Sequence, residues 1–168
     1  STLNNLADPP GQKTVPPGTL GKVDRTGIGK RTMILIPGAG FGGDSFKEFM
    51  ETYAADYSMI AVTLPGFGGT APLASPPETA SFGDQLWTKS AVDAISGLIE
   101  SEGIKDAVIV GHWMTGTQVA IRLARKYPDR IAGLVIVAGT AGMYPTDTIT
   151  YPPAKMTSAW RVRAIDQY

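Results

Sequence analysis

Four apolar runs of strand length, each ending in a turn rich in small residues, constrain this chain more than any other feature. Residues 32–36 (Thr-Met-Ile-Leu-Ile) are closed by Pro37-Gly38, and residues 59–62 lead into Leu64-Pro65-Gly66-Phe67-Gly68-Gly69-Thr70. Residues 107–110 run into Gly111, and residues 131–138 form the longest run, with the length of a buried strand. Runs this apolar fit strands covered on both faces. Stretches of helical period separate them. Asp44-Ser45 read as a helix start, with Phe46, Phe49, Met50 and Tyr53 along one face. Leu86, Ala91, Ala94, Ile95, Leu98 and Ile99 follow a second helical period that Gly103 stops. Residues 118–126 form a third, ending before Pro128. Strand and helix alternate four times, so the expected fold class is α/β, a mostly parallel sheet with helices on both faces.

The chain has 168 residues, the size of a single domain. Residues 1–30, with Pro9, Pro10, Pro16 and Pro17, read as an extended lead-in holding at most a short strand near residues 21–24. Residues 31–140 form the core. Residues 71–80, with Pro72, Pro76 and Pro77, read as a loop within it. Residues 141–168 read as the start of a cap or linker segment. Net charge is zero and only 18% of residues are charged, so nothing forms a footprint for nucleic acid or an anionic membrane surface. No apolar run approaches the roughly eighteen residues of a membrane span. With no cysteine and one histidine, disulfide scaffolds, thiol nucleophiles and multi-imidazole metal sites are excluded, and no cofactor or metal is expected. The chain does not begin with methionine, which reads as a processed or trimmed start. Its localisation is unknown, with a secreted or periplasmic mature form among the readings.

Ligands of open parallel sheets bind beyond the carboxyl ends of the strands, so the turns after the apolar runs are the places for chemistry. The first, Pro37-Gly38-Ala39-Gly40-Phe41-Gly42-Gly43, contains a G-x-G-x-x-G spacing at Gly38, Gly40 and Gly43. A dinucleotide site would also need an acidic residue about 20 positions on, where Val62, Thr63 and Leu64 stand. The same turn could aim backbone N–H groups at a developing oxyanion, or serve as a plain strand–helix connection. The second turn, residues 66–70, reads as a sharp reversal of the chain. The third runs strand, sharp turn, helix through Val110-Gly111-His112-Trp113-Met114-Thr115-Gly116. Small residues at 111 and 116 let the helix leave close against the strand, the frame of a nucleophile elbow centred on position 113.

With these turns in order, the sequence resembles the α/β-hydrolase superfamily. The resemblance rests on Ile36-Pro37-Gly38-Ala39-Gly40, on residues 61–68 (Ala-Val-Thr-Leu-Pro-Gly-Phe-Gly), on Gly111-His112-x-Met114, and on residues 124–135. It spans about residues 30–140 and implies the N-terminal two-thirds of that fold. The resemblance implies that the backbone N–H groups of Ala39 and Met114 form the oxyanion hole, with Gly38, Gly40, Phe41 and His112 beside the pocket. It also shows departures. The family's nucleophile (Ser, Asp or Cys) is replaced by Trp113, the closing glycine of Gly-x-Ser-x-Gly by Thr115, and a usual Asp by Thr63. Indole cannot attack a carbonyl, and Thr115, on the helix side, is poorly placed to substitute. His112 reads as packing beneath the turn, and Asp129 as a solvated or capping residue. The acid and histidine of the family triad follow later strands, beyond these residues.

The resemblance therefore implies a carboxylic-ester-type hydrolase acting on a small-molecule ester. As written, it is expected to be inactive or one chain of a two-chain hydrolase. A companion polypeptide would carry the acid, the histidine and cover for an apolar sheet edge. One alternative is a catalytically dead hydrolase fold used as a ligand-binding or interaction module, and another is a dinucleotide-binding domain.

Overall fold

In a computed structural model, residues 13–38, 40–74 and 86–139 are described, with side chains of the last segment from Thr88 onward. Five strands form one sheet: β1 (Lys22–Thr26), β2 (Arg31–Ile36), β3 (Tyr57–Thr63), β4 (Ala107–His112) and β5 (Ile131–Val137). Their order is β1-β3-β2-β4-β5. β1 lies antiparallel to β3, and every other neighbouring pair is parallel. The helices are α1 (Lys47–Thr52), entered through a 3-10 turn at Gly43–Phe46, α2 (Leu86–Ser101) and α3 (Trp113–Lys126).

The side-chain period of two along each strand splits the apolar runs between two faces. Ile34, Ile36, Ile60, Val62 and Ile109 face α2 and α3, where they pack with Ala91, Ile95, Ile99, Val119, Ala120 and Leu123. Met33, Leu35, Met59, Ala61 and Val110 face the other way and pack with Met50 of α1 and with Phe46. The central strands are thus buried on both sides, as their unbroken apolar runs require. Each fully buried Ile or Leu contributes about 1.5–3 kcal/mol through removal of its surface from water.

The strand read near residues 21–24 joins the sheet as β1, which begins at Lys22, and Gly21 N–H donates to the Thr63 carbonyl at 2.8 Å. Residues before it are strapped down as well, with Val15 N–H bonded to Pro72 O and Gly18 N–H to Ser90 Oγ of α2, both at 2.8 Å. The helix start at Asp44-Ser45 is a 3-10 turn. The α-helix after it has six residues and buries Met50, leaving Phe49 and Tyr53 exposed and tilted against each other, ring centroids 4.9 Å apart. The third helix begins at Trp113, five residues before 118, because packing on the sheet overrides the weak helix preference of Thr115, Gly116 and Thr117. The longest run, read as a buried strand, is an edge strand among the described residues. Ile131 and Ile136 reach the core, while Leu134, Val135 and Val137 are exposed. Residues 75–85, which hold most of the loop read at 71–80, and residues 140–168, including the cap or linker segment, lie outside the described residues. Among the described residues no helix is long and apolar enough to cross a membrane.

Two glycines set how α3 meets the sheet. A Cβ on Gly116 would run into the carbonyl oxygens of Ile36 and, at 2.8 Å, Pro37, at the end of β2. One on Gly111 would stand 2.6 Å from the Gly116 carbonyl oxygen and 2.7 Å from Ala120 Cβ. Gly97 of α2 has nothing within 4 Å of its missing Cβ. The two helical glycines therefore respond to alanine in opposite directions. Gly97→Ala gains roughly 0.5–1 kcal/mol of helix propensity. Gly116→Ala loses about 1–3 kcal/mol, because the clashing atoms are backbone and cannot turn aside. Urea unfolding midpoints of the two variants check both signs.

Candidate functional site

Because β2 lies between β3 and β4, the turns that leave β2 and β4 are neighbours at the carboxyl end of the sheet. β4 ends at His112, whose backbone is extended (φ −104°, ψ 133°), and the next residue, Trp113, has φ 55°. That left-handed conformation costs a residue with a Cβ about 1–2 kcal/mol, and a Trp is an unusual occupant. It persists because the chain must pass from an extended strand into α3 with no intervening loop, while Gly111 and Gly116 hold helix and strand together. The small residue this approach needs is at 116. Thr115, in the place of the family's closing glycine, sits half-buried in the first turn of α3.

Gly38, in the turn after β2, backs directly on the tryptophan. A Cβ there would stand 2.8 Å from Trp113 Cβ and 3.2 Å from the His112 carbonyl oxygen. Phe41 meets the Trp113 ring edge-on at 6.4 Å between centroids and tilts over His112 at 5.8 Å, while Phe46 meets His112 edge-on at 6.4 Å. His112 is therefore held between two aromatic rings beneath the turn. Phe41 itself stays 45% exposed. Gly40 takes φ 85°, and Phe41 N–H closes the turn on the Gly38 carbonyl at 3.1 Å. Ala39 lies outside the described residues.

Met114 is half-buried in the first turn of α3, and no side chain caps that helix. The leading N–H groups of a helix have no partner within it and carry its positive dipole end. The site's own side chains are aromatic and small. Asp129 stands exposed just ahead of β5, at the opposite end of the sheet, and the one histidine of the chain is His112.

Two further residues shape the site. Thr63, the last residue of β3, is 2% exposed, and its Oγ1 accepts a hydrogen bond from Gly43 N–H at 2.8 Å. It ties the turn after β2 to the adjacent strand. Thr70 holds the second turn, its hydroxyl donating to Phe67 O at 2.7 Å, with Gly66, Gly68 and Gly69 all left-handed. The contact of Phe46 with His112 and the bond made by Thr63 join residues far apart in sequence, and no local pattern marks them.

The chain matches the alpha/beta hydrolase family over residues 33–167. It belongs to that family. Among curated relatives, a 2-hydroxy-6-oxononadienedioate/2-hydroxy-6-oxononatrienedioate hydrolase of Paraburkholderia phymatum is 29% identical, over 70% of this chain and 39% of its own length. A pimeloyl-[acyl-carrier protein] methyl ester esterase of Neisseria meningitidis is 30% identical, over 78% of this chain and 47% of its own length. The N-acyl homoserine lactonase AidH, solved with N-butanoyl homoserine, superposes with a TM-score of 0.56 at 28% identity, covering 70% of this chain and 40% of that one. The chain thus spans 39–47% of the length of these curated relatives. Membership in this family leaves the dinucleotide reading of Gly38, Gly40 and Gly43 without support. The six-residue α1 behind a 3-10 turn also gives a pyrophosphate little helix to bind.

The packing of Gly38 on Trp113 makes a specific coupling. Gly38→Ala costs about 1–3 kcal/mol in the native chain. In a Trp113→Gly background, where the opposing Cβ is gone, the same change costs less, with a coupling energy of roughly 0.5–3 kcal/mol. A double-mutant cycle on urea midpoints measures it, and equal costs in the two backgrounds would contradict the contact.

Proposed function

We propose that this chain is part of a carboxylic-ester-type α/β hydrolase in which Trp113 occupies the nucleophile seat, so that the chain as written turns over no ester. The observation that carries the proposal is the left-handed backbone of Trp113 at the single-residue junction of β4 and α3. A nucleophile elbow uses such a strained junction to lift one side chain above the sheet. In an active member that side chain attacks the acyl carbon. The oxyanion formed is met by the N–H of the next residue, Met114 here, and by one from the neighbouring turn, Ala39 here. Both donors are main-chain, so the identities of their side chains do not matter. The seat is otherwise filled: the indole lies where an acyl group would enter, against Gly38 and Phe41.

Indole offers neither a nucleophilic oxygen nor a titration near neutral pH, and loss of a nucleophile of this kind costs on the order of 10⁶ in turnover. The general base and its acid are expected from a companion polypeptide that completes the fold. Exposed Leu134, Val135 and Val137 on β5 are the apolar surface such a companion would cover. The relatives named above are hydrolases and esterases, which supports a small-molecule ester or related acyl compound as the substrate class. A second reading has its own support. The uncapped start of α3 beside half-exposed Phe41 suits a bound acid with an apolar tail, and the fold would then serve as a binding module.

The chain contains no cysteine, so Trp113→Cys places a single reporter thiol in the seat. A thiol at a helix N-terminus ionises below the usual value of about 8.5. The pH–rate profile for alkylation by iodoacetamide is therefore expected to have a lower midpoint at 113 than in an Ile28→Cys control, whose residue is 91% exposed. Equal midpoints would sink the elbow assignment. The native chain is expected to hydrolyse p-nitrophenyl acetate no faster than buffer. Trp113→Ser, assembled with the rest of the fold, is expected to gain activity, and failure there would overturn the ester chemistry while leaving the fold.

A further inference from the structure

We propose that Thr63 is the positioning residue of this site: it serves, from a neighbouring strand, as the cap of the turn that faces position 113. The proposal rests on the assignment of that turn and of position 113 given above. Gly43 opens the 3-10 turn, and the residue before it, Gly42, has no side chain with which to cap it. An uncapped first N–H buried against the sheet would be left without a partner. Twenty residues further along the chain, Thr63 supplies the missing acceptor, its Oγ1 at 2.8 Å from Gly43 N in a buried bond. Alternation along β3 makes this reach available. Val62 joins the core beneath α2 and α3, so Thr63 projects to the face on which the 3-10 turn lies.

Both halves of the threonine side chain are engaged. Its methyl carbon would be 3.1 Å from a Cβ on Gly68, and Gly68 and Gly42 approach so closely that a Cβ on either would lie 3.2–3.3 Å from the other's Cα. The turns after β2 and β3 therefore touch through two glycines directly above Thr63. The Gly42 carbonyl then accepts from both the N–H and the hydroxyl of Ser45, at 3.1 and 2.8 Å. From this anchored point the chain runs back through Phe41, against the Trp113 ring, to Gly38, against the Trp113 Cβ. The path from the grip of Thr63 to the seat is five residues long. A valine would fill the same space but leave Gly43 N–H unpaired. A serine would keep the bond and lose only the methyl contact.

The test uses the single-thiol chain Trp113→Cys and reads the pH–rate profile of alkylation with iodoacetamide. Adding Thr63→Val is expected to move the midpoint upward, because the turn packed against position 113 is no longer held in place. A rise of one unit lowers the thiolate fraction at neutral pH roughly tenfold. Adding Thr63→Ser is expected to leave the profile close to that of Trp113→Cys alone. A merely structural threonine would lower the unfolding midpoint without moving this profile, and superimposable profiles for Thr63→Val and its parent would overturn the proposal. A second measurement does not depend on the role of position 113. In the chain with native Trp113, Thr63→Val is expected to speed amide exchange at residues 40–45 while β2, β3 and β4 stay protected. Unchanged exchange at 40–45 would overturn the proposal even where the thiol profile moved. If Trp113→Cys itself shows an ordinary midpoint, the seat assignment fails, and exchange at 40–45 decides the role of Thr63 alone. Thr63→Ala removes the same hydroxyl and carries the same expectations should Thr63→Val not fold.

Discussion

The architecture of the site depends on one close approach, the first turn of α3 lying on the carbonyl oxygens at the end of β2. It is available only because residue 116 has no Cβ, and it is matched by Gly111 lying against Gly116 and Ala120. With helix and strand this near, no loop fits between β4 and α3, and the reversal falls on one residue. That residue is Trp113, held left-handed at a cost the surrounding packing repays. The chemistry the family performs at this place needs an attacking group and hydrogen-bond donors fixed near each other. In the reading proposed above, the packing would keep that frame with Trp113 in the seat.

Left-handed backbone recurs along this end of the sheet. Each of the four mutually parallel strands is followed within four residues by such a position: Gly40 after β2, Gly66 after β3, Trp113 after β4 and Ala138 after β5. At two of these the residue carries a Cβ, and both lie at the β4–β5 side. Turns fixed in place where several strands end spare an arriving ligand the cost of ordering them. The two glycine-rich turns add to this by direct contact, Gly42 on Gly68, with Thr63 beneath both.

Much of the fold was legible as alternation. Fully apolar runs marked β2, β3 and β4 because strands buried on both faces leave no room for polar residues, and the family's motifs fell at the turns after them. β5 carried the same signal, and with Leu134, Val135 and Val137 facing solvent among the described residues it is an apolar sheet edge of the kind the sequence led us to expect. An apolar run records that burial is demanded, without saying which surface provides it. The start of α3 was missed because Thr115, Gly116 and Thr117 are poor helix formers locally, and contact with β2 makes them helical. β1 gave a weaker signal, read only as a short strand near residues 21–24, because an edge strand with one wet side carries Lys22, Asp24 and Arg25.

The sequence by itself determined the fold class and pointed to the proposed site, with an indole where the proposal needs a nucleophile. Those follow from periodicity, from the order of the glycine turns and from the chemistry of an indole at 113. Only the tertiary structure decided which glycine carries the helix–strand contact, why Trp113 can be accommodated, and what Thr63 does. Each of these depends on atoms brought together from separate strands. Gly38 meets Trp113 across seventy-five positions of chain, and Gly43 meets Thr63 across twenty. A hydrogen bond or a missing Cβ acts over a few ångströms of space, and separation along the chain does not encode that distance.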